Sequence, residues 1–335
     1  MSASVRDVAK RAGVAVGTVS NVLNRPEKVS DDILQRVLAA IDELDFVRND
    51  AARQLRSGRS ASIGLVLIDV RNPFFTDVAR GAEHRATDEG VSVTLGNSDN
   101  DVDRQTAYLD LFEQQRVQGI LITPLGEVHE RLVQLKRRGT PVVLIGRGVT
   151  DPAFSLISDD DLAGSRLAVE HLIAQGRTRI VFVGTHEVAG HVADRLEGAR
   201  RTVAEHPGVT LDVMQVASLD VDNGKDAGAR IVARPPSERP DAIFAANDLV
   251  AIGVLQSLIM GGGIAVPEEI AVIGYDDNEY ARAAVVPLSS IRQPTALIGQ
   301  TAVEILLREA ANPDSPPQQI VFKPELVVRE STENH

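Results

Sequence analysis

Residues 4–24 read SVRDVAKRAGVAVGTVSNVLN, and the spacing of their apolar side chains decides how the rest of the chain is organised. Val5, Val8, Ala9 and Ala12 fall at i, i+3, i+4 and i+7, so a short helix over them shows one apolar face. Gly13 breaks the pattern. After a short turn the period resumes at Val19, Val22 and Leu23, and a second helix can pack its inner face on the first. Two short helices joined by a Gly-containing turn describe a helix-turn-helix, whose second helix offers its N-terminal residues to base edges in the DNA major groove. Here those residues are Ala15, Val16 and Gly17, then Thr18, Ser20 and Asn21, an outer face small and polar enough to fit a groove. An ordinary helical hairpin inside a larger core satisfies the same stretch, so its surroundings have to decide.

At 335 residues the chain is long enough for two or three domains with their own cores, and 43% hydrophobic with 24% charged residues is ordinary globular composition. The longest apolar run, Ile63 to Ile68, is too short to span a bilayer. Zero cysteines exclude disulfides, thiolate metal sites and thiol catalysis. Met1 leads into the patterned helix without a basic, then apolar, leader, so a cytoplasmic location with no membrane partner is expected. The net charge of -12 is unevenly spread. Residues 1–59 carry ten Lys/Arg against eight Asp/Glu, or +2, which leaves 25 against 39, or -14, for the rest. Two basic patches, at 1–30 and 48–59, bracket an acidic helix, as suits a small module meeting phosphates and attached to a body that DNA repels.

Ser30 before Asp31 and Asp32 is a helix start, with Ile33, Val37, Ile41 and Leu44 as the apolar stripe of a third helix. Phe46 to Asn49 ends it. Residues 50–58, DAARQLRSG, have one leucine and no core of their own.

The stretches VRDVAKRAGVAVGTVSNVLN, VSDDILQRVLAAIDEL and AARQLRSGRS together resemble the LacI/GalR family of transcriptional regulators. In that family the hinge folds into a helix on the operator, and paired hinge leucines wedge into the minor groove at the centre of a palindrome. The resemblance implies this role for Leu55, with Ala52 and Arg53 beside it, and Val5, Asn24 and Asn49 complete the candidate DNA contacts. Arg48 stands where many relatives have Pro, and Ala15 where they have Ser. Gly17 gives up a side chain at a reading position, which shifts base readout toward Val16 and Asn21.

From Ser62 onward, β-type apolar runs alternate with helical segments: Ile63–Ile68, Val91–Leu95, Gly119–Thr123, Pro141–Ile145, Ile180–Val183, Asp241–Ala245 and Ile270–Tyr275. Such alternation means α/β architecture with parallel sheets, and seven runs over this length fit two doubly wound subdomains. The resemblance implies a periplasmic-binding-protein-like core in which the chain changes subdomain near Asp160, Gln293 and Pro324. The expected organisation is a three-helix helix-turn-helix module over 1–48 and a hinge over 49–59, followed by a core over 60–335. Within that core, subdomain one comprises 60–159 with 293–322, and subdomain two 160–292 with 323–331.

Ligands of doubly wound sheets sit beyond the carboxyl ends of the strands. The polar residues there are Asp69, Asn72 and Phe74 in DVRNPFF, Arg147 in LIGRG, Asp160 in SDDDLAG, Arg195 in ADRLEG, Asn247 and Asp248 in AANDLVAIG, Asp276 in IGYDD and Gln293 in SIRQP. In relatives these motifs line the effector pocket. Carboxylates accept from vicinal hydroxyls, guanidinium forks donate to ring oxygens and Phe74 offers an apolar face, which suits a sugar-like or nucleoside-like effector. For each residue singly, a helix cap or hinge hydrogen bond is the alternative.

Enzyme signatures are weak. His186-Glu187-Val188-Ala189-Gly190-His191 has one residue too many for a zinc-protease motif, so on a helix its imidazoles would point about 140° apart. Asp159-Asp160-Asp161 lacks the phosphate loop that would accompany Mg²⁺, and no nucleophile elbow occurs. No metal, cofactor or catalytic residue is expected. The leading reading is a DNA-binding repressor controlled by a small effector, acting as a homodimer on a palindromic duplex. The closing Ser331–His335 carries no leucine heptad that would make a tetramer. The alternative is a cytoplasmic sugar- or nucleoside-binding protein or enzyme with a helical appendage, and a secreted solute receptor is disfavoured by the missing leader.

Overall fold

Ser4 starts the first helix by a reciprocal cap. Its backbone N–H and hydroxyl both donate to Asp7 Oδ2, at 2.9 and 2.7 Å, while its hydroxyl oxygen accepts from the Asp7 N–H. The computed structural model describes residues 3–46, 60–146, 151–185 and 190–333. Helix α1 (Val5–Ala12) ends at Gly13, whose φ of 66° lies in the left-handed region, and Arg36 closes the turn by donating to the Ala12 carbonyl at 2.6 Å. Helix α2 (Val16–Asn24) follows, with no side-chain cap from Ala15, and then α3 (Asp31–Glu43). Val8, Ala9 and Ala12 of α1, Val19 and Val22 of α2, Val37 and Ala40 of α3, and Phe46 beyond it form one buried core. Phe46, read from the sequence as a terminator, is therefore a core residue.

The chain divides into two units, Met1–Ser60 and Ala61–His335. The second unit contains two six-stranded sheets. The first is built from β1 (Ser62–Leu67), β2 (Ser92–Asn97), β3 (Ile120–Ile122), β4 (Val142–Ile145), β5 (Ser155–Asp159) and β11 (Gln319–Phe322), in the order β11-β5-β4-β3-β1-β2, all parallel. The second takes β6 (Arg179–Gly184), β7 (Thr210–Gln215), β8 (Ala242–Ala245), β9 (Ala271–Asp276), β10 (Ser289–Arg292) and β12 (Glu325–Val327), in the order β12-β10-β9-β8-β6-β7, with only β12 antiparallel. The chain moves between sheets after β5, after β10 and after β11. Twelve strands among the described residues correct the seven read from apolar runs. The five additional ones, such as Ser155–Asp159 and Ser289–Arg292, carry polar residues at sheet margins where no continuous apolar run can form.

Helices cover both faces of the sheets. Helix α4 (Pro73–Asp88) begins with Asn72, whose side chain accepts from the Phe74 N–H at 3.0 Å, and Pro73 pre-sets its first turn. It lies against α12 (Thr295–Ala311) through glycines: a Cβ on Gly299 would stand 2.0 Å from the Val78 carbonyl oxygen, and one on Gly81 2.2 Å from that of Ala296. The two backbones must separate to admit a side chain. Gly299→Val is therefore expected to destabilise the second unit by about 3 kcal/mol, lowering its Tm by roughly 6–12 °C. Thermal unfolding followed by circular dichroism checks this, and an unchanged Tm would contradict the close packing.

Candidate functional site

The strand order reverses between β1 and β3 in the first sheet and between β6 and β8 in the second. Residues just beyond the carboxyl ends of these strands therefore face a crevice. Two adjoining cavities occupy it. The inner one, of about 30 Å³, is lined by Asn72, Phe74, Asp159, Arg195, Asp276 and Gln293 among others. The outer, of about 120 Å³, shares Asn72, Phe75, His191 and Leu219 with it and opens toward Asp69, Arg71 and Asp220.

Arg195, on α8 (Gly190–Ala204), is 4% exposed and organises the inner cavity. Its Nε donates to Asp161 at 2.7 Å and its Nη1 to the Ala246 carbonyl at 2.6 Å, and the guanidinium lies 3.6 Å from the Tyr275 ring centroid and from Asp276 Oδ1. Asp276 ends β9 with φ of 107°, a conformation rare for a residue with a side chain, which makes it a functional candidate on conformation alone. Gln293 Nε2 donates to its Oδ1 at 2.9 Å, and Asn72 Nδ2 reaches its Oδ2 at 3.5 Å from the first sheet's side. Burial lifts the Asp276 carboxyl to about 6 against the pull of Arg195. Burial, reinforced by Asp161, lifts Asp159 well above the usual carboxylate range. Raised carboxyls stabilise the fold while protonated, so the Asp276 contribution is lost as pH rises through about 6. At neutral pH the cleft is thus a place where folding stability has been given up.

Three polar atoms on the wall of this cavity have no hydrogen-bond partner: Thr123 Oγ1, Asp159 Oδ2 and Gln293 Oε1, on residues no more than 5% exposed. Unpaired buried polar atoms cost about 1–3 kcal/mol each, and the three residues that carry them all line this cavity.

Of the residues anticipated from sequence, Asn72, Phe74, Arg195, Asn247, Asp276 and Gln293 line the inner cavity and Asp69 the outer. Asn247 also caps α10 (Asp248–Gln256), accepting from the Val250 N–H at 2.9 Å. Asp160 and Asp248 line neither. Asp160 caps α7 (Asp161–Ala174) by accepting from the Ala163 N–H at 3.0 Å. Asp248 is fully buried, and its oxygens are taken by Ser290 Oγ at 2.6 Å and the Asn278 N–H at 2.8 Å. Arg147 lies outside the described residues, as do His186 and Glu187. Thr123, Asp159 and His191 were missed. The signal for Asp159 was its place as last residue of a strand, one before the aspartate chosen.

In the first unit, Ala15, Val16, Gly17 and Asn21 are exposed at the start and outer face of α2, while Val5, Thr18 and Ser20 are half-buried. Asn49, Ala52, Arg53 and Leu55 lie outside the described residues, and the side chain of Asn24 is likewise undescribed. No described helix is long and apolar enough to cross a membrane, and no group of three His, Cys, Asp or Glu among the described residues is placed to hold a metal.

A family model described as "Bacterial regulatory proteins, lacI family" matches residues 4–49, and one described as "Periplasmic binding protein-like domain" matches residues 169–332. The ribose operon repressor of Escherichia coli (strain K12) is 34% identical over 333 residues, covering 98% of this chain and 99% of its own. The HTH-type transcriptional repressor PurR of Aliivibrio fischeri (strain MJ11) is 32% identical over 335 residues, covering 99% of each. Among solved structures, the Lac repressor dimer bound to operator and the anti-inducer ONPF matches with a TM-score of 0.85 at 26% identity over 99% of each chain. These findings bear out the helix-turn-helix with two parallel-sheet subdomains, and they favour the regulator over the enzyme with an appendage. With relatives above 30% identity along almost its whole length, this chain belongs to the lacI family of bacterial regulatory proteins, as a DNA-binding transcriptional regulator with an effector-binding core.

Proposed function

We propose that the protein is a cytoplasmic, homodimeric repressor of a palindromic operator whose affinity is set by a small polyhydroxylated effector, sugar-like or nucleoside-like, in the crevice. One recognition helix reads half a site, so useful affinity needs two related by symmetry. Readout falls on Ala15, Val16, Gly17, Thr18, Ser20 and Asn21, and Leu55 in the hinge is the minor-groove wedge.

The gathering of Thr123, Asp159 and Gln293, each with a partnerless buried oxygen, along the wall of the inner cavity carries the effector reading. A hydroxyl both donates and accepts, so a ring seated in the outer cavity can extend hydroxyls into the inner one, where they meet these oxygens and Asp276. Phe74 supplies the apolar wall for its ring face. The relative named a ribose operon repressor supports a pentose as the first compound to try.

Thermal unfolding in the presence of pentoses, hexoses and nucleosides tests this. A ligand at about 100 times its Kd should stabilise the protein by about 2.7 kcal/mol, and a panel without any shift would remove the reading.

Binding should also depend on pH in a fixed direction. Hydroxyls donating to Asp276 favour its ionised form, whereas burial lifts that carboxyl to about 6. Effector affinity is expected to be level above pH 7 and to fall about tenfold per pH unit below 6. Calorimetric titration from pH 5 to 8 reads this, and an affinity that rises on acidification would contradict the assignment of Asp276 as acceptor.

A further inference from the structure

We propose that Asp248 is a positioning residue: through Ser290 and the Asn278 N–H it holds the turn over residues 276–278 in the conformation that presents Asp276 to the inner cavity. The proposal rests on the effector reading above and names what sets the acceptor that reading uses.

The turn needs a hold. Asp276 ends β9 with φ of 107°, and Asp277 follows with φ of 51°, so two consecutive residues with side chains stand in the region that favours glycine. Backbone of this kind persists only where its surroundings over-determine it. From this turn the Asp276 carboxyl accepts from Gln293 Nε2 at 2.9 Å and lies 3.6 Å from Arg195 Nη1.

The hold comes from one carboxyl at the first residue of α10. The Asn278 N–H donates to Asp248 Oδ2 at 2.8 Å. The Asp277 N–H donates to Ser290 Oγ at 3.0 Å, and that hydroxyl donates to Asp248 Oδ1 at 2.6 Å. Asp248 therefore takes up, directly or through one hydroxyl, both N–H groups that follow Asp276. It and Ser290 are fully buried. Ser290 stands beside Gly274 in the β9–β10 register, and Gly274 leaves the carboxyl its room, since a Cβ there would lie 2.3 Å from Asp248 Oδ1. On the other side, the Asp277 carboxyl is ion-paired with Arg292 Nε at 2.7 Å and Arg329 Nη2 at 2.6 Å.

Asp248 is a costly residue for this place. Burial, reinforced by the nearby Asp276, lifts its carboxyl well above the usual carboxylate range. It lines neither cavity. What the acid accomplishes is the turn, and it does so by two hydrogen bonds rather than by charge. An amide of the same shape can make both, accepting from the Asn278 N–H and donating to Ser290 Oγ.

The experiment compares the full chain with Asp248→Ala, Asp248→Asn and Ser290→Ala. Crystal structures of the ligand-free proteins read the turn, and calorimetric titration with D-ribose, and with the panel compound that shifts the melt most, reads affinity. In Asp248→Ala the φ of Asp276 is expected to become negative, its carboxyl to leave Gln293, and affinity to fall about 10–100-fold. Ser290→Ala, which removes only a hydroxyl, should lose about tenfold, and Asp248→Asn should recover most of what Asp248→Ala loses. If Asp248→Ala does not fold, Ser290→Ala gives the same reading. A turn that keeps its positive φ in the folded alanine variants, or alanine variants that bind as wild type with only a lowered Tm, overturns the proposal. A loss in Asp248→Asn equal to that in Asp248→Ala overturns the hydrogen bonds as the cause. If no panel compound binds the wild type, the carbohydrate reading falls, and the crystal structures still decide whether Asp248 sets the turn.

Discussion

Arg195→Ala is expected to lose effector binding by about 2–5 kcal/mol and, at neutral pH, to destabilise the core by about 3–5 kcal/mol. Both effects come from what the guanidinium holds. Asp161 is 4% exposed with Arg195 Nε at 2.7 Å, and Asp276 is 5% exposed with Nη1 at 3.6 Å. Truncation leaves these carboxyls, and Asp159 beside them, with no described cation in a space water barely reaches. They can recover only by taking up protons. The deficit in Tm should therefore be largest at pH 7.5 and shrink toward pH 5.5, since groups already shifted upward protonate there at little cost. Arg195→Lys restores a charge but not the planar fork that reaches Asp161 and the Ala246 carbonyl together, so it should recover part of the stability and little of the affinity. Melts at the two pH values with calorimetry read both arms. A variant that melts as wild type at both would show that the ion cluster does not organise the crevice.

The second large effect is expected at the other end of the chain. Val16 is 47% exposed at the first turn of α2 and stays out of the core that Val19 and Val22 enter. An aspartate there removes an apolar base contact and brings a negative charge to the phosphate-lined groove. One lost base contact is worth about 1–3 kcal/mol, and a symmetric dimer loses it twice, so Val16→Asp should weaken operator binding by about 2–6 kcal/mol in all. The fold of the first unit should be untouched. Val19→Asp is the contrast, since it buries a charge among Val8, Val22 and Val37 and should unfold the unit outright. Wild-type operator affinity for Val16→Asp would remove α2 from the role of reading helix.

How much of this was legible in the sequence follows from the kind of signal each part carries. The three helices at the N-terminus were readable because a 3.6-residue period and a glycine turn are local signals, and Gly13, where the pattern breaks, has a positive φ. The buried central strands were readable as runs of Val, Ile and Leu. The strands β5, β10, β11 and β12, at or next to one sheet margin, were not, since polar residues interrupt them at the points where the chain changes subdomain. Strand-end reasoning gathered Asn72, Arg195, Asn247, Asp276 and Gln293 at one cavity, yet it could not tell Asp159 from Asp160. That distinction depends on which residue ends the strand and which caps the next helix, a matter of one residue in register. Asp248 misled because it adjoins Asn247, although its own contacts run to Ser290 and Asn278. Thr123 carried no sequence signal at all, since only the missing partner of its hydroxyl marks it.

The central claim is that one chain couples an effector in the crevice to an operator at the helix-turn-helix. It is tested most directly by fluorescence-anisotropy titration of a labelled duplex, selected by this protein from a random pool, with and without saturating amounts of the panel sugar that binds most tightly. A palindromic duplex should be bound far above random DNA, with an affinity that the sugar changes by about 5–150-fold. The same sugar should leave Asp276→Ala on that duplex unchanged. An operator affinity that stays constant while the sugar demonstrably occupies the wild-type protein would contradict it.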